Sequence, residues 1–163
     1  MNDHPAPRRP GTSVPHFSLP RTHYESVSLR DVYGHPAVLV FYPGDWEPVS
    51  CQQLALYQQQ LPALHRLGAA LIGISVDSVW SHRAFGRALA LTFPLLSDFH
   101  PKGAVSWAYG VYREDEGRSG RAVFVLDTAG RVCWCRVCPT NLNPGVDGML
   151  TALEAMQTKE AKR

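Results

Sequence analysis

The run Ala37 to Tyr42, Ala-Val-Leu-Val-Phe-Tyr, constrains this chain more than any other segment, because its six residues are all apolar, β-branched or aromatic with no polar alternation. A strand with one wet face alternates; an unbroken run needs cover on both faces, so it predicts a strand in the middle of a sheet. The loop Pro43 to Val49 follows, and then a helical pattern from Ser50 to about Leu67, with Leu54, Tyr57, Leu61 and Leu64 spaced by three and four residues and a kink expected at Pro62. Ala69 to Ser75 reads as a second buried strand, and Val79 to Leu89 as a helix behind the cap-like pair Asp77-Ser78. Phe93 to Asp98 is a short extended piece, followed by helix-like Lys102 to Tyr109. Arg121 to Asp127 and Val132 to Val137 flank Thr128-Ala129-Gly130-Arg131, the pattern of two antiparallel strands joined by a tight turn. A last helix, Val146 to Met156, comes after Asn143-Pro144-Gly145; near the start, Val27 to Leu29 reads as a short strand and Leu29 to Gly34 as a helical turn or loop. This order predicts an α/β sandwich, a mixed central sheet flanked by helices.

At 163 residues the chain fits one domain, large enough to bury about two thirds of its unfolded surface without disulfides or metal. No linker divides its middle, so residues 1–10 are read as a flexible segment and 11–163 as the domain. Sixteen Lys and Arg against 14 Asp and Glu give a net charge of +2, scattered along the chain, which implies no nucleic-acid partner. Met1 to Pro15 is polar, proline-rich and without the apolar stretch of a secretory signal, as expected of a loose lead-in on a cytoplasmic protein. The apolar run Ala69 to Val76, interrupted by Gly73 and Ser75, falls far short of the roughly 20 residues that span a bilayer, so no membrane partner is expected. Four cysteines, Cys51, Cys133, Cys135 and Cys138, are few for this length; in a reducing compartment such thiols are free, catalytic or metal-bound.

The element order matches the thioredoxin fold, and the segment Phe41-Tyr42-Pro43-Gly44-Asp45-Trp46-Glu47-Pro48-Val49-Ser50-Cys51-Gln52-Gln53-Leu54-Ala55-Leu56-Tyr57 resembles the active-site segment of peroxiredoxins of the alkyl hydroperoxide reductase and thiol-specific antioxidant superfamily. The resemblance continues through Phe93 to Asp98 with Pro101-Lys102-Gly103, Tyr109 to Arg113, Arg121 to Asp127 and Asn143-Pro144-Gly145, in order, over about residues 11 to 155. It implies a hydroperoxide substrate, a thiol reductant of thioredoxin-like or low-molecular-weight kind, a homodimer, and no cofactor or metal. The family motif is a proline, a Thr or Ser four residues on, and the peroxidatic cysteine three after that. Pro43 matches and Arg121 matches the family's arginine near the thiolate, but Glu47 and Ser50 stand in the other two places, with Cys51 one residue beyond.

Reducing a hydroperoxide needs a thiolate at one oxygen and donors for the leaving oxygen. A helix start beside an arginine suits that, since free N–H groups, the dipole and a guanidinium all favour an anion. A serine hydroxyl holds its proton too tightly to replace the thiolate. Ser50 instead fits a capping box, Ser50-Cys51-Gln52-Gln53, and shares the core-facing stripe of Leu54, Tyr57 and Leu61, whereas Cys51 is rotated by about 100° onto the flank with Ala55 and Gln58. Glu47 only accepts hydrogen bonds; about 4 Å from a thiolate its charge would cost about 4 kcal/mol at an effective dielectric near 20. It either pairs with Arg121, neutralising the pocket, or stands solvated on the loop. Cys133 and Cys135 fall on one face of a strand, and Cys135-x-x-Cys138 has a spacing open to inert thiols, a resolving or redox pair, or a metal site that lacks a fourth ligand. Trp46, Trp80, Trp107 and Tyr109 are expected in the core or at a dimer contact. Three functions follow: a thiol peroxidase working through Cys51, weak or altered in activity; a catalytically degenerate relative acting as a binding protein; and a thiol or metal sensor built on Cys133 to Cys138.

Overall fold

The computed structural model describes residues 4–163, leaving Met1–Asp3 of the lead-in outside. In chain order come β1 (Ser18–Pro20), β2 (Ser26–Ser28), a 3-10 turn (Leu29–Val32), β3 (Ala37–Phe41), α1 (Pro48–Gln59), α2 (Leu61–Arg66), β4 (Ala70–Ser75), α3 (Val79–Ala88), β5 (Leu95–Ser97), α4 (Ala104–Ala108), β6 (Tyr112–Arg113), β7 (Arg118–Ser119), β8 (Arg121–Leu126), β9 (Val132–Cys138) and α5 (Asp147–Glu160).

Every residue of β3 is buried, and the strand lies at the centre of a five-stranded sheet ordered β5-β4-β3-β8-β9. β4 pairs with β3 and β5 in parallel, while β8 runs antiparallel to both β3 and β9, so the sheet is mixed. Alternate β3 residues serve two cores. Val38 and Val40 pack with Leu54, Tyr57, Phe85, Val123 and Leu153 on the face covered by α1, α3 and α5. Leu39 and Phe41 pack with Ile72, Phe124, Leu96 and Tyr109 on the other. No helix of the described residues is long and apolar enough to cross a membrane.

Several expectations need correction. The helix expected from Ser50 to Leu67 with a kink is two helices. Pro62 has no N–H to donate and its ring would meet the carbonyl one turn back, so α1 ends at Gln59 and α2 starts afresh at Leu61. The C-terminal helix runs four residues further than its apolar spacing suggested, to Glu160. Of the two places expected for the aromatic group, core or dimer contact, the core takes only Tyr109, while Trp46, Trp80 and Trp107 are exposed, at 55%, 61% and 43%. The lead-in, expected to be loose, makes defined contacts from its described part: Arg8 donates through Nε and Nη2 to the carbonyl of Ala108 at 3.1 and 3.0 Å, and its backbone N–H donates to Tyr109.

Candidate functional site

The loop after β3 begins at buried Pro43 and hands over to α1 two residues earlier than the apolar spacing indicates. Pro48 at the first helical position explains this, since its fixed φ suits a helix start where its missing N–H is not needed. Glu47, not Ser50, is therefore the cap: its carboxylate accepts from the backbone N–H groups of Val49 at 3.0 Å and Ser50 at 2.7 Å. The capping box centred on Ser50 does not form. Ser50 sits in the first turn, buried, and its hydroxyl donates to Glu47 Oε2 at 2.6 Å.

Arg121, at the start of β8, meets this helix end from the sheet and is fully buried. Its Nη2 lies 2.7 Å from Glu47 Oε2, so of the two readings of Glu47 the pair with Arg121 is the one realised. Nη1 donates to Ser50 Oγ at 3.2 Å and Gln53 Oε1 at 2.8 Å, while Nε and Nη2 donate to the carbonyl of Thr140 at 3.1 and 2.7 Å. A guanidinium carries five N–H groups, and these five contacts engage all of them. Burial works to raise the pKa of Glu47, but hydrogen bonds from Ser50, Arg121 and the backbone outweigh it and hold the carboxyl at about 2. An internal carboxylate thus occupies the place where helix N–H groups and a guanidinium would otherwise receive an anion.

Gln53 and Thr140 were not singled out from sequence as partners of Arg121. The only signal for Gln53 was its place three residues after Ser50, and it turns to Arg121 and Tyr57 rather than back to the helix start. Tyr57, pushed up to about 12 by burial, donates to the carbonyl of Gly145 at 2.9 Å, which brings the Asn143-Pro144-Gly145 turn to the same cluster.

Cys51 stands one residue beyond Ser50, half-buried on the helix flank as its rotation requires. Burial, and then the charge of Glu47, push its thiol up. The other three thiols do not assemble. Cys138 is the cross-strand partner of Arg121 and so shares the face toward α1, whereas Cys135 pairs with Phe124 and packs into the opposite core. Residues three apart on a strand point to opposite faces, so this strand does not converge Cys135 and Cys138 on one ligand. Cys133 is exposed at the β-bulge beside Leu126. Burial and the charge of Asp127 push it up, and burial alone does so for Cys135.

A second polar cluster, Asp45, Asp77 and His82, holds the same loop from the other side, with facing atoms within 4.8 Å of one another. Each is engaged by protein groups. Asp45 accepts from the Tyr42 hydroxyl at 2.7 Å, the Ser81 hydroxyl at 2.8 Å and His82 Nδ1 at 2.9 Å, and Asp77 accepts from the Ser75 hydroxyl and the backbone N–H of Asp45. His82 Nε2 lies 3.1 Å from the carbonyl of Leu96, so both ring nitrogens face acceptors.

The AhpC/TSA family model matches residues 10–135. The chain is 37% identical over 121 residues to alkyl hydroperoxide reductase E of Mycobacterium tuberculosis, covering 74% of this chain and 79% of that protein. It is 32% identical over 141 residues to peroxiredoxin-2 of Bos taurus, covering 82% and 70%. In structure it is similar to the reduced 2-Cys peroxiredoxin of Plasmodium vivax, with a TM-score of 0.86 at 28% identity, covering 95% of this chain and 85% of that one.

Proposed function

Because the chain belongs to the AhpC/TSA family, the peroxiredoxins, we propose that it is a thiol-dependent hydroperoxide-reducing protein whose family site is closed at Ser50 and whose reactivity rests on Cys51. The observation that carries this is the contrast between neighbours: Ser50 is buried and hydrogen-bonded to Glu47 and Arg121, while Cys51, in the same first turn, is half-buried on the flank. In the reaction the Cys51 thiolate attacks one peroxide oxygen, the O–O bond breaks, and the leaving oxygen takes a proton to give water or an alcohol and a sulfenic acid on sulfur. A reductant thiol then displaces water from that sulfur, forming a mixed disulfide, and a second thiol releases Cys51. With its pKa raised and Arg121 engaged elsewhere, Cys51 reacts slowly. Four free thiols suit a reducing compartment, the cytoplasm, and exposed Trp46 and Phe99 offer apolar surface to a homodimer.

A second reading, a family member that binds without turnover, is favoured by the full engagement of Arg121. The rate of hydrogen peroxide consumption in the wild type and in Cys51→Ala, with Cys133, Cys135 and Cys138 kept in both, separates them. Loss of a slow wild-type rate in the variant supports the first reading; equal rates remove Cys51 from the chemistry.

A further inference from the structure

A groove of about 770 Å³ lies away from Ser50 and Arg121, between α3 and the tip joining β1 to β2. That is within the roughly 300–1,000 Å³ of small-molecule sites. Its α3 wall presents Trp80, Arg83 and Arg87, separated by three and four residues and so aligned in one stripe; the tip contributes Arg21 and His23. All three arginines are exposed, and among the described residues none has a carboxylate within salt-bridge distance. Glu25 is the one acidic residue in the lining, against three guanidinium groups. Like charges four residues apart on a helix repel, so stability does not account for Arg83 and Arg87 together.

Two further observations give the groove a shape. Trp80 is 61% exposed, and the His23 ring lies tilted beside it with centroids 5.5 Å apart, an aromatic pair on the groove wall. Gly86, on the same helix and in the lining, has no positive φ, and a Cβ there would meet nothing within 4 Å. Neither a turn nor close packing calls for glycine at that helical position, where it is unfavourable compared with alanine. Its effect is to leave the groove wall without a side chain between Arg83 and Arg87.

We propose that this groove binds a nucleotide, with the base extending the His23–Trp80 stack and the phosphates held by Arg83, Arg87 and Arg21. Guanidinium forks match phosphate oxygens in pairs, and a planar ring gains from an indole face, so the groove suits a ligand that joins both features in one small molecule. His82 is among the lining residues and also meets Asp45, which links the groove wall to the loop leading to Glu47. The site stands whether or not Cys51 reduces hydroperoxides.

The test is titration of the full chain with ADP, adenosine and inorganic pyrophosphate, magnesium-free, read by calorimetry and by tryptophan fluorescence. ADP is expected to bind at least about tenfold tighter than either fragment. Trp80→Ala and the double variant Arg83→Gln with Arg87→Gln should each lower ADP affinity at least about tenfold. Gly86→Leu, which fills the groove while favouring the helix, should abolish binding with an unchanged or higher thermal midpoint. Pyrophosphate binding as tightly as ADP would overturn the nucleotide assignment, leaving an adventitious anion only. No ADP binding at millimolar concentration, or full binding by Gly86→Leu, would overturn the site.

Discussion

Asp45 and Glu47 stand two residues apart on one loop, and each holds a basic side chain from far along the chain: His82 for Asp45, Arg121 for Glu47. The Asp45 pair is sealed, its two side chains 2% and 0% exposed, and its partners are scaffold: the end of β3, the first turn of α3 and the carbonyl of Leu96. The Glu47 carboxylate keeps 23% exposure and sits at a helix start, bonded to Ser50 and Arg121. Between them Trp46 is held at φ 67°, a backbone conformation that costs a non-glycine residue of order 1 kcal/mol or more. The loop is thus pinned from both sides. One carboxylate fixes where the loop lies, and the other decides what it can do.

The largest expected effect follows from the sealed side. Asp45→Ala leaves the Tyr42 hydroxyl, the Ser81 hydroxyl and His82 Nδ1 without the acceptor they share, and stranding buried polar groups costs about 1–3 kcal/mol each. For a domain of this size that lowers the thermal midpoint by roughly 10 °C. A calorimetric scan of the variant beside the wild type measures it; a shift of only a degree or two would make the two carboxylates equivalent and break the comparison.

On the other side the large effect is chemical. Glu47→Thr with Ser50→Cys removes the internal anion, frees a donor of Arg121 and places a thiol on the core-facing position of the first turn. Restoring one donor to the leaving oxygen is worth of order 100-fold in rate. The double variant should therefore consume hydrogen peroxide about 100-fold faster than the wild type, and Ser50→Cys alone should recover less, because Glu47 still opposes the thiolate. Equal rates in single and double variants would show that Glu47 is no obstacle.

A smaller effect separates the pairs by pH. Glu47→Gln should cost about 2 kcal/mol at neutral pH, less than Asp45→Ala because solvent screens the partly exposed carboxylate. The folded-state pKa of Glu47 is lowered from 4.5 to about 2, so its contribution is full above 4.5 and is lost as the pH falls toward 2. Urea unfolding at several pH values should show the wild type and Glu47→Gln converging over that window. A gap that stays constant down to pH 2 would mean that the carboxylate contributes as packing and not as charge.

The fold was legible where a segment declared its environment by itself. β3 reads as central because its run leaves no face for water, and the β8–β9 pair reads from two apolar runs around a four-residue turn. β1, β6 and β7, two or three residues each, are too short to carry a period. The site was half legible. Ser50 beside Arg121 was expected from the family resemblance and the order of its segments, but the choice between a paired and a solvated Glu47 depends on a partner 74 residues away, and local spacing holds no information on that contact. Capping was assigned to the wrong residue because the Ser-x-x-Gln pattern competes with Pro48, whose fixed φ starts the helix two residues sooner. Which of the tryptophans would take the core and which the surface was not legible, since apolar character alone does not say which surface another element covers.

The smallest effect tests whether the Glu47 pair reaches the neighbouring thiol. Burial is the larger cause that pushes Cys51 up, and the Glu47 charge is the next, so removing the charge relieves only the lesser part. Glu47→Gln should lower the Cys51 pKa slightly and raise its thiolate fraction at neutral pH. Because intrinsic nucleophilicity falls as the pKa falls, the gain in rate is only a few-fold. Alkylation by iodoacetamide at pH 7, followed site by site by mass spectrometry, measures it, with Cys133 and Cys135 as internal controls, since neither is shifted by Glu47. A rise at Cys51 alone ties the thiol to the cluster around Arg121. A rise at all three would mean that the variant has loosened the domain, and no change at any would show that the cluster's charge ends at Ser50, leaving the raised pKa of Cys51 to burial.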